Sequence, residues 1–435
     1  MLPLKDLYNI YLKHPNVVID SRKVVDGCIF FALQGASFDG NQFAEQAIQQ
    51  GAAFSIIDNP EFEKNDRCIL VDDVLKTLQD LAHFHRQTFE IPVLAITGSN
   101  GKTTTKELVS AVLNSYYISH CTQGNFNNHI GLPLTLLAMP KNTEIAVIEM
   151  GANHIGEIDF LCNITRPTHG LITNVGKAHL EGFGSFDGVK KAKGELYQFL
   201  AKNEGVAFIN LDEPFLSDMS ANISHRIDYQ QNDFPSSTNI FFQTKLVDED
   251  PFVKVEFMDD DQLLEVQSKI IGNYNFNNIQ TAITVGRYFN VPASKIKEAI
   301  EFYIPTNNRS QIIKNGSNTF ILDAYNANPN SMREALNNLA KVEGTHKIAI
   351  LGDMLELGDY SQNEHESLLE HAKKLNFDQL ILVGKEFDKV KNNSPSHLHF
   401  PKIEALKNWY SKQIFQNTTF LIKGSRGLKL EQLLD

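Results

Sequence analysis

The sequence predicts an α/β protein of three domains: a small N-terminal α/β module over residues 1–87, a central domain over 88–305 with a mainly parallel sheet and a small antiparallel sheet, and a Rossmann-like C-terminal domain over 306–435. Three observations predict it. The chain has 435 residues, and a domain takes roughly 100–200 of them. Short apolar runs alternate with helical patterns on both sides of a polar linker at residues 303–308, the rhythm of βαβ units. Between about residues 238 and 271 that rhythm gives way to a period of two, the pattern of antiparallel strands with one wet face.

In chain order, apolar runs at 17–19, 28–33, 54–57 and 68–71 are separated by Gly- and Asp-bearing turns, with a helix predicted over 42–50. Leu75, Leu78, Leu81 and Ala82 fall at helical spacing, and Pro92 opens the next unit. The central domain has predicted strands at 93–97, 145–148, 170–172 and 206–209, and a helix over 103–113. Phe252-Val253-Lys254-Val255-Glu256-Phe257 carries the alternation of the antiparallel sheet, and a helix follows over 277–288. Beyond the linker, strands at 319–322, 347–351, 379–383 and 419–422 alternate with helices over 331–341 and 362–375.

Composition narrows the function classes. A hydrophobic fraction of 42% with 21% charged residues is that of a soluble globular chain. No run approaches the ~18 apolar residues of a membrane span, and the N-terminus has no signal-peptide pattern. Cys28, Cys68, Cys121 and Cys162 lie far apart, as reduced thiols of a cytoplasmic protein would. The net charge of −12 argues against nucleic acid as a partner, so an anionic substrate must be held by local cations. No repeat or heptad run is present, and a monomer is expected. His83, His85, His397 and His399 read as surface or helix-face histidines, since none has an H-E-x-x-H context.

The chemistry starts at residue 97. An apolar strand ending in Thr97 runs into Gly98-Ser99-Asn100-Gly101-Lys102-Thr103-Thr104, and a helical pattern begins at once. A strand, a glycine loop and a helix N-terminus turn backbone N–H groups and a positive dipole end toward an anion. Lys102 is placed to reach the β- and γ-phosphates of ATP, and the Thr103 hydroxyl to bind Mg²⁺. Glu149 and His179 each follow an apolar strand, and in a parallel sheet the C-terminal strand ends face the ligand crevice.

The shortened Gly-x-x-Gly-Lys-Thr loop resembles that of the Mur ligase family, whose members join a carboxylate to an amine using ATP. Further blocks extend the resemblance over the whole chain. Ala192-Lys193-Gly194-Glu195 is similar to the segment whose lysine the family carbamylates. The resemblance implies two Mg²⁺ ions held by Thr103, Glu149, His179 and carbamylated Lys193. Gly272 to Asn278 resembles an adenine-reading motif and implies nucleotide contacts for Asn275 and Asn278, with Tyr274 where the family usually has His. Arg309 matches the arginine that approaches the γ-phosphate. Asp323-Ala324-Tyr325-Asn326-Ala327-Asn328-Pro329 resembles the branch that adds D-alanyl-D-alanine to UDP-N-acetylmuramoyl-tripeptide (UDP-MurNAc-tripeptide). It implies that Asp323 meets ATP and that Tyr325, Asn326 and Asn328 meet the dipeptide. The blocks at 351–358 and 421–426 look like two more of that branch. Ser21, Arg22, Gln34 and Gly35 resemble the UDP-binding module, with Asn41 where a histidine is usual; Thr122, Asn125, Asn127 and Asn128 resemble the central substrate loop. The implied catalytic residues are Lys102, Glu149, His179, Lys193 and Arg309. Another amide ligase would lack the Tyr325–Asn328 block; a phosphate-loop switch that makes no product is the alternative from a different class.

Overall fold

Strands that are apolar on both faces need cover on both faces, and the helices between them provide it. The computed structural model describes residues 2–231, 242–249, 251–259, 262–390 and 397–434. Its first sheet is parallel, with strands Val17–Val18, Ile29–Phe31, Phe54–Ile57 and Cys68–Leu70 side by side in that order. The helix predicted over 42–50 resolves into a 3-10 turn, Gly40–Phe43, and a helix, Ala44–Gln49. Asp39 caps the turn by accepting the Asn41 N–H. Asn41 itself is fully buried; its amide donates to Asp39 and Asp58 at 2.8 Å each and accepts the Asp58 N–H at 3.1 Å.

Helix Val74–Gln87 leads out of this module and packs on helix Leu4–Lys13. His85 is not a surface histidine. It is 3% exposed, with its ring nitrogens 3.1 Å from the Tyr8 hydroxyl and 3.3 Å from that of Tyr11, because this face of the helix is covered by the N-terminal helix. Burial accordingly lowers its pKa.

The central sheet has nine strands in the order Gln262–Ile271, Phe252–Asp259, Phe242–Asp248, His225–Gln231, Val206–Asn210, His169–Ile172, Val93–Thr97, Ile145–Glu149, Ser119–Cys121. The first three pair antiparallel with one another, and Phe242–Asp248 pairs parallel with His225–Gln231. The antiparallel strands thus extend the parallel sheet. Val253, Val255 and Phe257 are buried and their neighbours half-buried, as the period of two requires. Residues 238–241, 250, 260 and 261 of that predicted region lie outside the described residues. Val93–Thr97 lies between His169–Ile172 and Ile145–Glu149, so three strand ends open at one place.

The third sheet runs Gln311–Asn315, Asn318–Asp323, Thr418–Lys423, His346–Gly352, Gln379–Val383, His397–Phe400. All its pairs are parallel except the first. His397 and His399 lie in its last, half-buried strand, not on a helix face.

Candidate active site

Gly98 and Gly101 hold φ of +144° and +77°, conformations open to glycine. A Cβ on Gly98 would meet Thr173 Oγ1 at 2.0 Å, and one on Gly101 would meet Asn278 Oδ1 at 2.6 Å. The neighbouring strand end ties the loop down. Thr173 Oγ1 donates to Asn100 O at 2.6 Å, the Asn174 side chain accepts the Asn100 N–H at 2.9 Å, and Ser99 Oγ accepts the Gly176 N–H at 2.9 Å. Helix Lys102–Asn114 then starts, its free N–H groups at the loop. Lys102 Nζ donates to Gly98 O at 2.7 Å and Ser99 O at 3.2 Å. Burial lowers its pKa to about 8, with Glu149 opposing the shift and Arg309 adding to it.

Beside the loop, Glu149 is 1% exposed. Thr103 Oγ1 donates to one of its oxygens at 2.8 Å and Asn127 Nδ2 to the other at 2.7 Å, while its backbone N–H donates to Thr122 Oγ1 at 2.9 Å. His179 has a φ of +51° and turns its Nδ1 to the carboxylate of Glu356. Lys193 is 1% exposed and its Nζ lies 5.2 Å from the Phe183 ring centre. Burial, then the Lys102 ammonium, holds its pKa well below the ordinary lysine value. Asn278 Oδ1 accepts from Thr105 Oγ1 at 2.8 Å, and its Nδ2 donates to Asn275 Oδ1 at 2.7 Å.

The third sheet faces this set across a cleft of about 420 Å³. Asp323, at a strand end, accepts the Lys423 ammonium and the Ser310 N–H, the latter at 3.2 Å. Arg309 Cζ lies 3.8 Å from the centre of the Tyr325 ring. Asn326 Oδ1 accepts the Ala327 N–H at 2.9 Å. Asn328 caps helix Pro329–Lys341 in a capping box with Ser331, and its Nδ2 reaches across to Asn100 Oδ1 at 2.6 Å. Tyr274 joins the two sides as well, its hydroxyl 2.7 Å from Ser310 Oγ.

A cleft between a phosphate loop and a second α/β unit is matched by known proteins. Family models described as Mur ligase family, catalytic domain, Mur ligase middle domain, and Mur ligase, glutamate ligase domain match residues 15–86, 96–286 and 308–426. The chain is 36% identical to the UDP-N-acetylmuramoyl-tripeptide–D-alanyl-D-alanine ligase of Bacillus subtilis (strain 168), covering 96% of this chain and 92% of that protein. The chain belongs to the Mur ligase family. The enzyme of the same description from Escherichia coli (strain K12) is 34% identical, again over 96% and 92% of the two chains. Among solved structures, MurF from Acinetobacter baumannii superposes with a TM-score of 0.85 at 29% identity over 96% and 92% of the chains. MurF ligase from Thermotoga maritima in complex with ADP gives 0.83 at 28% identity over 97% of each.

Within this Mur ligase, the cleft is lined by Ser99 to Thr104, Asn127, Asn128, Glu149 and His179 on one side. Asn275, Asn278, Arg309, Asp323, Tyr325, Asn326 and Asn328 complete it. Thr97, Thr122 and Lys193 are buried beside it, and Asn125 is exposed on its loop. Ser21, Arg22, Gln34 and Gly35 are not gathered into this cleft and stand on the N-terminal module. There Arg22 is bound to Asp20 at 2.8 Å and Gln34 Nε2 to Asp58 at 3.0 Å. Thr103 and Glu149 together offer hard oxygens of the type Mg²⁺ prefers. Among the described residues no group of three His, Cys, Asp or Glu could hold a metal. Sequence reasoning singled out Glu356 and Lys423 only as members of the blocks at 351–358 and 421–426 and gave them no role, and it assigned none to the Thr173–Asn174 brace. Lys423 and Thr173–Asn174 lie at or just past the C-terminal end of an apolar strand, whereas Glu356 lies in the loop after one.

Proposed function

We propose that this Mur ligase joins D-alanyl-D-alanine to UDP-MurNAc-tripeptide, with ATP converted to ADP and phosphate, as a cytoplasmic monomer with domains at 1–87, 88–305 and 306–435. One observation carries the reading: the phosphate loop at 98–104 faces Arg309, Asp323 and the Tyr325–Asn328 segment across a single cleft. ATP on the loop meets Lys102 and Arg309, with Asn275, Asn278 and Asp323 toward its nucleoside. The UDP end of the tripeptide is assigned to Ser21, Arg22, Gln34 and Gly35, and its peptide end to Thr122, Asn125, Asn127 and Asn128. Tyr325, Asn326 and Asn328 are assigned to the dipeptide.

A terminal carboxylate oxygen of the tripeptide attacks the γ-phosphorus, the bond to the β-phosphate oxygen breaks and ADP leaves. The dipeptide amine then attacks the carbonyl carbon of the acyl phosphate, loses a proton, and phosphate departs with the electrons of the C–O bond. Such transfer needs positioning and charge neutralisation. Lys102 and Arg309 supply cations from opposite sides of the cleft. Thr103, Glu149, His179 and carbamylated Lys193 would hold two Mg²⁺ ions, which neutralise phosphate charge when bound. Carbamylation of Lys193 is supported by its burial, which favours the neutral amine that adds to CO₂ with loss of a proton. A gathered cleft also excludes water from the acyl phosphate.

The test is phosphate release by purified protein supplied with ATP, UDP-MurNAc-tripeptide and D-Ala-D-Ala. Release that requires both co-substrates supports the reading. Release with the tripeptide and a single amino acid, but not with the dipeptide, sinks it.

A further inference from the structure

The acceptor in that reading has an amine at one end and a carboxylate at the other, and a carboxylate drawn out of water needs a cation to meet it. Most cations around the cleft are committed. Lys423 is paired with Asp323, Lys177 with Glu364 at 2.6 Å, and Arg333 with the same Glu364 at 3.4 Å. Arg309 and Arg426 have no ion-pair partner among the described residues, and both meet one ring instead. Arg309 Cζ lies 3.8 Å and Arg426 Cζ 4.9 Å from the centre of Tyr325.

Two guanidiniums at one ring with no ion-pair partner among the described residues repel each other, and that repulsion is relieved by anions. Arg309 lines the cleft, where the proposed reading puts the phosphates, and its charge is felt by Lys102 of the loop. Arg426 is exposed and opens a 3-10 turn, Arg426–Leu428, just past the buried strand Thr418–Lys423. Its position is fixed by its neighbours: Ser425 Oγ accepts the N–H of Leu355, a residue of the cleft wall, at 2.9 Å.

We propose that Arg426 binds the terminal carboxylate of the acceptor dipeptide, with the Tyr325 ring as the platform that orients its fork. The assignment rests on the acceptor being D-Ala-D-Ala. Length agrees with it. The two distances to one ring centre bound the separation of the guanidinium carbons at about 8.7 Å, and two extended residues span ~7 Å. A dipeptide held at Arg426 by its carboxylate is therefore of a length to extend its amine toward the side of the cleft that carries Arg309. A planar guanidinium accepts a carboxylate through two parallel N–H···O bonds, which a lysine does not.

The test compares D-Ala-D-Ala with its C-terminal carboxamide in wild type, Arg426→Gln and Arg426→Lys. Arg426→Gln should raise KM for the dipeptide by about 10- to 100-fold and leave KM for ATP and for the tripeptide nearly unchanged. Wild type should prefer the carboxylate over the carboxamide, Arg426→Gln should treat the two alike, and Arg426→Lys should recover part of the preference. A wild type indifferent to the carboxamide overturns the proposal, as does an Arg426→Gln enzyme that keeps the preference. If wild type makes product from tripeptide and another amine but none from D-Ala-D-Ala, the reading of the reaction falls with it.

Discussion

Replacing Asn328 by Ala removes two separate things. Its Oδ1 accepts the Ser331 N–H at 2.9 Å as the cap of helix Pro329–Lys341, and its Nδ2 donates to Asn100 Oδ1 at 2.6 Å across the cleft. Loss of an N-cap of this type costs about 1 kcal/mol, and loss of a part-buried hydrogen bond about 0.5–1.5 kcal/mol more. For a unit of this size each kcal/mol shifts the melting transition by roughly 2–4 °C, so Asn328→Ala should melt about 3–10 °C lower. Asn328→Ser separates the terms, because serine can cap but is too short to reach Asn100. It should regain roughly half of the lost melting temperature while KM for ATP stays raised, since Asn100 belongs to the phosphate loop. Differential scanning fluorimetry and initial-rate kinetics on the three proteins suffice. Equal melting temperatures for wild type and Asn328→Ala would refute the capping argument, and a wild-type KM for ATP in Asn328→Ser would refute the loop argument.

Lys102→Ala removes a cation from a largely dehydrated phosphate site and should lower kcat by ~10²–10³; steady-state rates near wild type would exclude Lys102 from the phosphates. Lys193→Ala should be nearly inactive and regain activity with short carboxylic acids, whereas a fully active variant would show that no carbamate is needed. Glu213 and Glu334 face the same cleft, and burial pushes each up to about 7, with the charge of Glu334 adding at Glu213, and at Glu334 Lys423 opposing and Asp323 adding. With folded pKa values above the unfolded ones, their contribution is present below pH ~4.5 and lost as pH rises through about 7. Glu334→Gln should therefore flatten the fall in stability from pH 5 to 8, by under ~1 kcal/mol because solvent reaches this side chain; parallel urea-denaturation curves for variant and wild type would contradict it.

How much of this was readable from the chain follows the range of each interaction. The phosphate loop is local: strand, glycines and helix start are contiguous, and Gly98 and Gly101 stand where a side chain would collide with Thr173 or Asn278. The period of two at Phe252–Asp259 is local too. Lys423 meets Asp323 only because the parallel register sets residues 323 and 423 side by side, and Asn100 meets Asn328 across 228 positions. No short-range pattern encodes either. The short run at 17–19 did mark the two-residue strand Val17–Val18, but Gln311–Asn315 is a half-exposed edge and offers no apolar run of the kind that marks a buried strand. Tyr274 stood out as a departure from the family pattern, but its partner Ser310 lies in the next domain.

The polar contacts across the cleft are individually weak. Asn100 meets Asn328, Tyr274 meets Ser310, Lys177 meets Glu364, and His179 meets Glu356, each pair bridging the central and third domains. Such bonds contribute about 0.5–1.5 kcal/mol apiece, and inter-domain surfaces of this character permit relative motion. A ligand shifts such an arrangement only by the difference in its affinity for the open and closed forms. In the proposed reading ATP has that difference, because Lys102 and Arg309 both line the cleft from different domains. The dipeptide gains it through Arg426 and the Tyr325 ring, which Arg309 shares. The same ring thus links the anion of the donor phosphate to the anion of the acceptor, and a change at Tyr325 should weaken both substrates together while a change at Arg426 weakens one.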